Sequence, residues 1–132
     1  MSSFTTPLRV TPVDGEDNLW ELLETFEYEL GAKGSGNRVV CPAGERTDFA
    51  SIPRILWSIL PPWGKYGKAA VIHDHLCVFK CYHDVNNFPV YVTRAQGDAI
   101  FLEAMEVLNV PPFVRNTMYK FVRAYAIIKG YK

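Results

Sequence analysis

The spacing of apolar residues changes once along this chain, and that change constrains the fold more than any other feature. Up to Cys41 the spacing is two. Phe4 to Val13 alternates and is ended by Pro12 and the turn Asp14-Gly15-Glu16-Asp17. Trp20, Leu22, Phe26, Tyr28 and Leu30 keep the same period, and Arg38 to Cys41 is a further short strand. A strand turns successive side chains to opposite faces, so this pattern asks for a half-buried sheet. Trp20, Leu23 and Glu27 also fit helical spacing, but the period-two reading of Asn18 to Leu30 is the better match. The glycine-rich turn Gly31 to Gly36 then closes an antiparallel hairpin between that run and Arg38–Cys41.

Helical spacing takes over in the second half. Helices are predicted from Gly67 to about Lys80, from a Thr93 cap to Leu108, and from Pro112 to about Lys129, with Pro111-Pro112 separating the last two. Ser51-Ile52-Pro53 reads as the start of a shorter helix that Pro61-Pro62-Trp63-Gly64 stops. Strands followed by helices give an α+β fold: an N-terminal antiparallel hairpin, then a bundle of three to four helices. With 132 residues the chain is expected to form one domain, strand-rich over residues 1–43 and helical over 51–130, because a second core would be too small to hold itself.

Composition excludes several classes. An apolar content of 48% supports a packed core and excludes a disordered linker. Basic and acidic residues number 14 each, so no overall field draws the molecule to nucleic acid or to an anionic membrane. No apolar run approaches the roughly 18 residues of a membrane span, and Met1 to Arg9 lacks the pattern of a signal peptide. Cys41, Cys77 and Cys81 are an odd number, which fits reduced thiols. The expectation is a soluble protein made in a cytoplasm, with no cofactor, no bound metal, no nucleic-acid partner and no membrane insertion.

The neutral total conceals two poles. Residues 1–30 hold Asp14, Glu16, Asp17, Glu21, Glu24, Glu27 and Glu29 against Arg9 alone, whereas residues 111–132 hold Arg115, Lys120, Arg123, Lys129 and Lys132 with no acid. Either these are solvated faces that attract each other, or they meet complementary partners, copies of the same chain among them.

The residues best suited to chemistry gather around His73. On the 67–80 helix, Ala69, Ile72, His73, Leu76 and Lys80 share one stripe, with Asp74 at its edge and His75 pointing away. The following helix aligns Arg94, Asp98, Phe101 and Met105. Packing the two helices together brings Asp98 to His73, and a carboxylate on an imidazole fixes its tautomer and raises its basicity. The structural alternatives are equally concrete: a core histidine bonded to a carbonyl, an Arg94–Asp98 pair along one helix, and an Asx turn at Asp48. Cys77, Cys81, His73 and His83 have donor types that zinc uses, but no second cluster matches them.

The string Thr47-Asp48-Phe49-Ala50-Ser51-Ile52-Pro53-Arg54, then Trp57, Pro61-Pro62-x-Gly64-x-Tyr66 and Ala70-x-x-His73-Asp74-x-Leu76, is specific. With Arg94-x-x-x-Asp98-x-x-Phe101 and Met118-Tyr119-x-x-Val122-Arg123, it resembles a family of small bacteriophage and prophage proteins catalogued as a domain of unknown function. The resemblance covers roughly residues 38–125 and implies phage origin; it brings no demonstrated activity. Two functions follow as expectations. The first is a virion component in the tail, baseplate or neck, found in the virion and in the host cytoplasm during assembly, whose partners are other virion proteins. Here Asp48, Arg54, His73, Asp74 and Asp98 form a buried polar network. The second is a hydrolase acting on the host envelope, with His73 as base oriented by Asp98, Asp48 or Asp74 positioning substrate, and Arg54 stabilising developing negative charge.

Overall fold

Phe26 and Tyr28 are completely buried, while Glu27 and Glu29 on the alternate positions are only half-buried. This is the alternation expected of a strand with one face on a core. In the computed structural model, which describes residues 3–4, 7–15, 19–31, 35–47 and 65–131, it is strand β4 (Phe26–Glu29). The preceding strands are β1 (Ser3–Phe4), β2 (Val10–Pro12) and β3 (Trp20–Leu22). After β4 come β5 (Arg38–Cys41), β6 (Arg46–Thr47), α1 (Lys65–Phe79), β7 (Cys81–His83), β8 (Pro89–Tyr91), α2 (Arg94–Val107) and α3 (Pro112–Lys129).

Two antiparallel sheets form, in the orders β1-β4-β5-β7-β8 and β2-β3-β6. The glycine-loop hairpin is present: Phe26 pairs with Cys41 and Tyr28 with Val39, all four buried on the same face. Gly31 and Gly36 both adopt positive φ at its ends. The Phe4 ring stacks 5.5 Å from Phe26 and lies 4.6 Å from Tyr28, sealing that face. The continuous strand expected from Phe4 to Val13 is instead two. β1 joins β4 and β2 joins β3, with Pro7, which has no N–H for a ladder, between them. Asn18–Leu30 likewise divides into β3 and β4, one for each sheet.

The larger correction concerns residues 81–91, which lie inside the stretch expected to be helical. Lys80 adopts φ 59° and ends α1, and the chain forms a β7–β8 hairpin that extends the main sheet beyond β5. The Asp84 side chain accepts from the backbone N–H groups of Asn86 and Phe88, and Asn87 takes the left-handed conformation. Asn tolerates that conformation better than most residues. Arg38 secures the turn by donating to the Asp84 carbonyl and to Asn87 Oδ1. Strands thus flank α1 on both sides in sequence, and only α2 and α3 follow the last of them.

The three described helices pack in succession: α1 against β5, α2 along α1, α3 along α2. The expected helix starting at Ser51 lies outside the described residues. Thr93 caps α2 as expected, and Gln96 completes a reciprocal capping box with it. The core joins Phe26, Tyr28 and Val39 of the sheet to Ile72, Leu76, Phe101, Met105 and Met118 of the helices. No helix among the described residues is long and apolar enough to cross a membrane.

Gly31 and Gly36 share a strained φ, but only at Gly36 would a β-carbon overlap a neighbour, the Val85 side chain of the β7–β8 turn. Gly36→Ala is therefore expected to cost clearly more than Gly31→Ala, and more than about 1 kcal/mol, in urea unfolding. Equal costs would contradict the docking of that turn on the glycine loop.

Candidate functional site

α1 is buried on most of its circumference: Ala69 to His73, His75 and Leu76 are all buried. A helix held between a sheet and another helix has no single wet face, so its polar side chains need partners inside the protein. His73 finds Asp98 on α2, with Nε2 2.6 Å from Oδ1, and its ring lies 4.6 Å from that of Phe101. Asp98 is 0% exposed. Arg94, one turn earlier on α2, donates Nε to the same Oδ1 at 3.0 Å, and Arg123 of α3 donates Nη1 to Oδ2 at 2.8 Å. One carboxylate therefore gathers donors from all three described helices.

Burial alone would raise the Asp98 carboxyl, but hydrogen bonds from His73, Arg123 and Arg94, with the charge of His73, hold it below its ordinary range. The carboxylate is ionised and accepts. His73 in its neutral form then carries its proton on Nε2 and its lone pair on Nδ1.

The other anticipated residues divide. Asp74 is half-buried and accepts the Thr47 hydroxyl at Oδ2. Asp48 and Arg54 lie outside the described residues. His75 points away from His73, as helical geometry required, and Nδ1 sits 2.7 Å from Glu45 Oε1. Cys77 Sγ is 3.6 Å from His73 Nε2 and 3.9 Å from Nδ1. A nucleophile aligned with one lone pair would be much nearer one nitrogen than the other, so the thiol contacts the ring without forming a nucleophile–base pair. Among the described residues Cys77, Cys81, His73 and His83 do not converge as metal donors; Cys41, Glu45 and His75 do.

A cavity of about 590 Å³ opens beside this network, lined by Thr47, His73, Asp74, Cys77, Arg94 and Tyr125 among others. His73 reaches it by an edge only, since 2% of the residue is exposed. The Arg94 guanidinium lies 5.3 Å from the Tyr131 ring centre, at the cavity wall.

The family model of a protein of unknown function, DUF1353, matches residues 20–122. The chain belongs to this family. The DUF1353 region takes in His73, Asp74, Arg94 and Asp98 and stops one residue before Arg123. The chain is also 35% identical over 111 residues to the uncharacterized protein y4jT of Sinorhizobium fredii (strain NBRC 101917 / NGR234), an alignment covering 81% of this chain and 29% of that relative. The chain thus spans under a third of the length of the relative it matches. No solved structure matches it.

Sequence reasoning gave Arg123 no part in this DUF1353 site. Its position beside the buried Val122, at the edge of the inward face of α3, was the available signal. Pairing across three helices depends on tertiary packing and leaves no trace in spacing.

Because Asp98 titrates lower in the folded state, its contribution to stability is complete above the ordinary aspartate range and is lost as pH falls through the folded value. Asp98→Asn should cost about 3 kcal/mol near neutral pH, and the gap to wild type should close as urea unfolding is repeated at increasingly acid pH. A gap independent of pH would contradict a buried ionised Asp98.

Proposed function

We propose that this chain is a bacteriophage virion component, a small domain seated in the tail, baseplate or neck that binds neighbouring subunits. The observation that carries this reading is that the ion pairs seen at each charge pole are made locally. Among the described residues, acids of the N-terminal segment pair with Arg9 and Arg46, while cations of α3 pair with Glu106 and Asp98. None of these four pairs joins one pole to the other. Poles of opposite sign at the two ends of the sequence suit complementary subunits, whose charges set register.

The outer face of α3 adds apolar surface to the basic pole. Phe113, Lys120, Ala124, Ile127 and Ile128 recur on that side at helical spacing, with Phe113 83% and Ile128 82% exposed. Apolar side chains rimmed by cations suit a partner surface that is apolar and acidic. Two further points support the reading. The motifs resemble phage and prophage proteins, and the matching segment of y4jT is part of a much longer chain, as expected of a module carried within larger proteins. On this view the Asp98 network fixes the helices that present the surface, and the protein resides in the virion and, during assembly, in the host cytoplasm.

One observation favours a second reading, a hydrolase acting on the host envelope: His73, oriented by Asp98, reaches the 590 Å³ cavity beside Arg94 and Asp74. There His73 would act as base and Arg94 would offset developing negative charge.

Quantitative mass spectrometry of purified phage particles separates the two. A virion component is present at fixed copy number, in multiples of three or six for a tail or neck part, and His73→Ala costs on the order of 1–3 kcal/mol of stability by leaving partners unsatisfied. Absence from particles, with abundant protein in infected cells and envelope-degrading activity abolished in a still-folded His73→Ala, would overturn the structural reading.

A further inference from the structure

On the opposite side of α1 from the Asp98 network, Cys41 ends β5, Glu45 stands in the turn that follows, and His75 faces both. The turn is tight: Glu45 N–H bonds the Pro42 carbonyl at 3.1 Å, and Gly44 takes φ +89°. It returns the Glu45 side chain over the end of β5, so that one donor atom each from Cys41, Glu45 and His75 lies within 4.8 Å of the others. We propose that Cys41, Glu45 and His75 bind a zinc ion. This site is independent of the function proposed above and shares no residue with it.

Three observations support the site. The first is the donor set. A thiolate, an imidazole and a carboxylate are the three ligand types zinc takes from proteins, and the sulfur disfavours magnesium and calcium, which prefer all-oxygen sites. The second is burial. Cys41 is 0% exposed, and the side chains of His75 and Glu45 are 6% and 10% exposed. The third is charge. Asp98 is matched by two guanidinium groups, whereas among the described residues Glu45, its side chain 10% exposed, pairs with the His75 imidazole and with no Lys or Arg. A carboxylate largely withdrawn from water gains from a compensating positive charge, and a divalent ion between Glu45, Cys41 and His75 supplies one. With three protein ligands, a tetrahedral ion keeps its fourth position for water.

The exchange balances without electron transfer. Cys41 gives up its thiol proton to solvent and binds as thiolate. His75 carries its proton on Nε2 so that the Nδ1 lone pair is available, and the Glu45 carboxylate turns from the imidazole to the metal. Affinity therefore falls as pH is lowered.

The test uses the full chain stripped with a chelator. Zinc alone should bind at one ion per chain and raise the melting temperature. Cobalt in its place should give the visible bands of a tetrahedral ion and a thiolate-to-cobalt charge-transfer band. The charge-transfer band should disappear in Cys41→Ser and persist in Cys77→Ser. Loss of a partner outside the ligand shell already weakens metal binding roughly 10–100-fold, so His75→Gln and Glu45→Gln should each weaken zinc binding by at least about tenfold. Glu45→Gln, an isosteric change in the turn after β5, keeps the test valid if Cys41→Ser fails to fold. The proposal is overturned if the wild-type chain binds no zinc at one per chain, if the cobalt band depends on Cys77, or if Glu45→Gln and His75→Gln bind zinc as the wild type does.

Discussion

A carboxylate that water cannot reach must be neutralised by the chain around it, and Asp98 is where this fold meets that demand. His73, Arg94 and Arg123 converge on its two oxygens from three helices. Leaving water costs such a group several kcal/mol, which only close and complete pairing recovers. The same requirement limits how the helices can pack. If α3 slid by a turn along α2, Arg123 would leave Oδ2; if α1 rotated, His73 would leave Oδ1. Apolar contacts among Phe101, Met105, Met118 and Val122 supply bulk attraction without direction. The buried carboxylate selects one arrangement from those the apolar contacts would accept.

α1 distributes this logic to the rest of the molecule. Its consecutive polar residues His73, Asp74 and His75 are turned about 100° apart by the helix, and each meets a different partner: Asp98 on α2, Thr47 on β6, and Glu45 in the turn after β5. One short stretch of helix thereby joins both sheets to the helical layer. The three contacts also differ in chemistry. The first is an ion-paired network, the second borders the cavity, and the third adjoins a thiol. The first of these also ties α3 to the other two helices, through the Arg123 contact to Asp98.

Much of this was legible in the sequence, for physical reasons that can be named. Phe26 and Tyr28 alternating with Glu27 and Glu29 left one reading for β4, and the glycine loop fixed its partner. The Thr93 cap, and Pro112 after Pro111, set the start of α2 and the start of α3. His73 and Asp98 were matched because each lies on the inward stripe of its helix. The β7–β8 hairpin was not legible. Its strands are three residues each, too short to show a period, and their edge position is decided by Arg38 reaching across from β5. Arg123 and the Cys41–Glu45–His75 cluster were hidden for a related reason: their partners are distant in sequence and brought close by packing. α1 itself was read as one-sided, yet Ala70, Val71 and His75 are buried as well, because it is the middle layer.

That Asp98 holds α3 to α2 through Arg123 is tested most directly by a double-mutant cycle on the pair. The stability cost of Arg123→Ala would be measured by urea unfolding in the wild-type chain and again in the Asp98→Asn background. If Arg123 acts through the buried carboxylate, the substitution costs more than about 1 kcal/mol in the first case and close to nothing in the second. Equal costs in both backgrounds would mean that apolar packing alone holds the three helices, and would contradict a carboxylate that selects their arrangement.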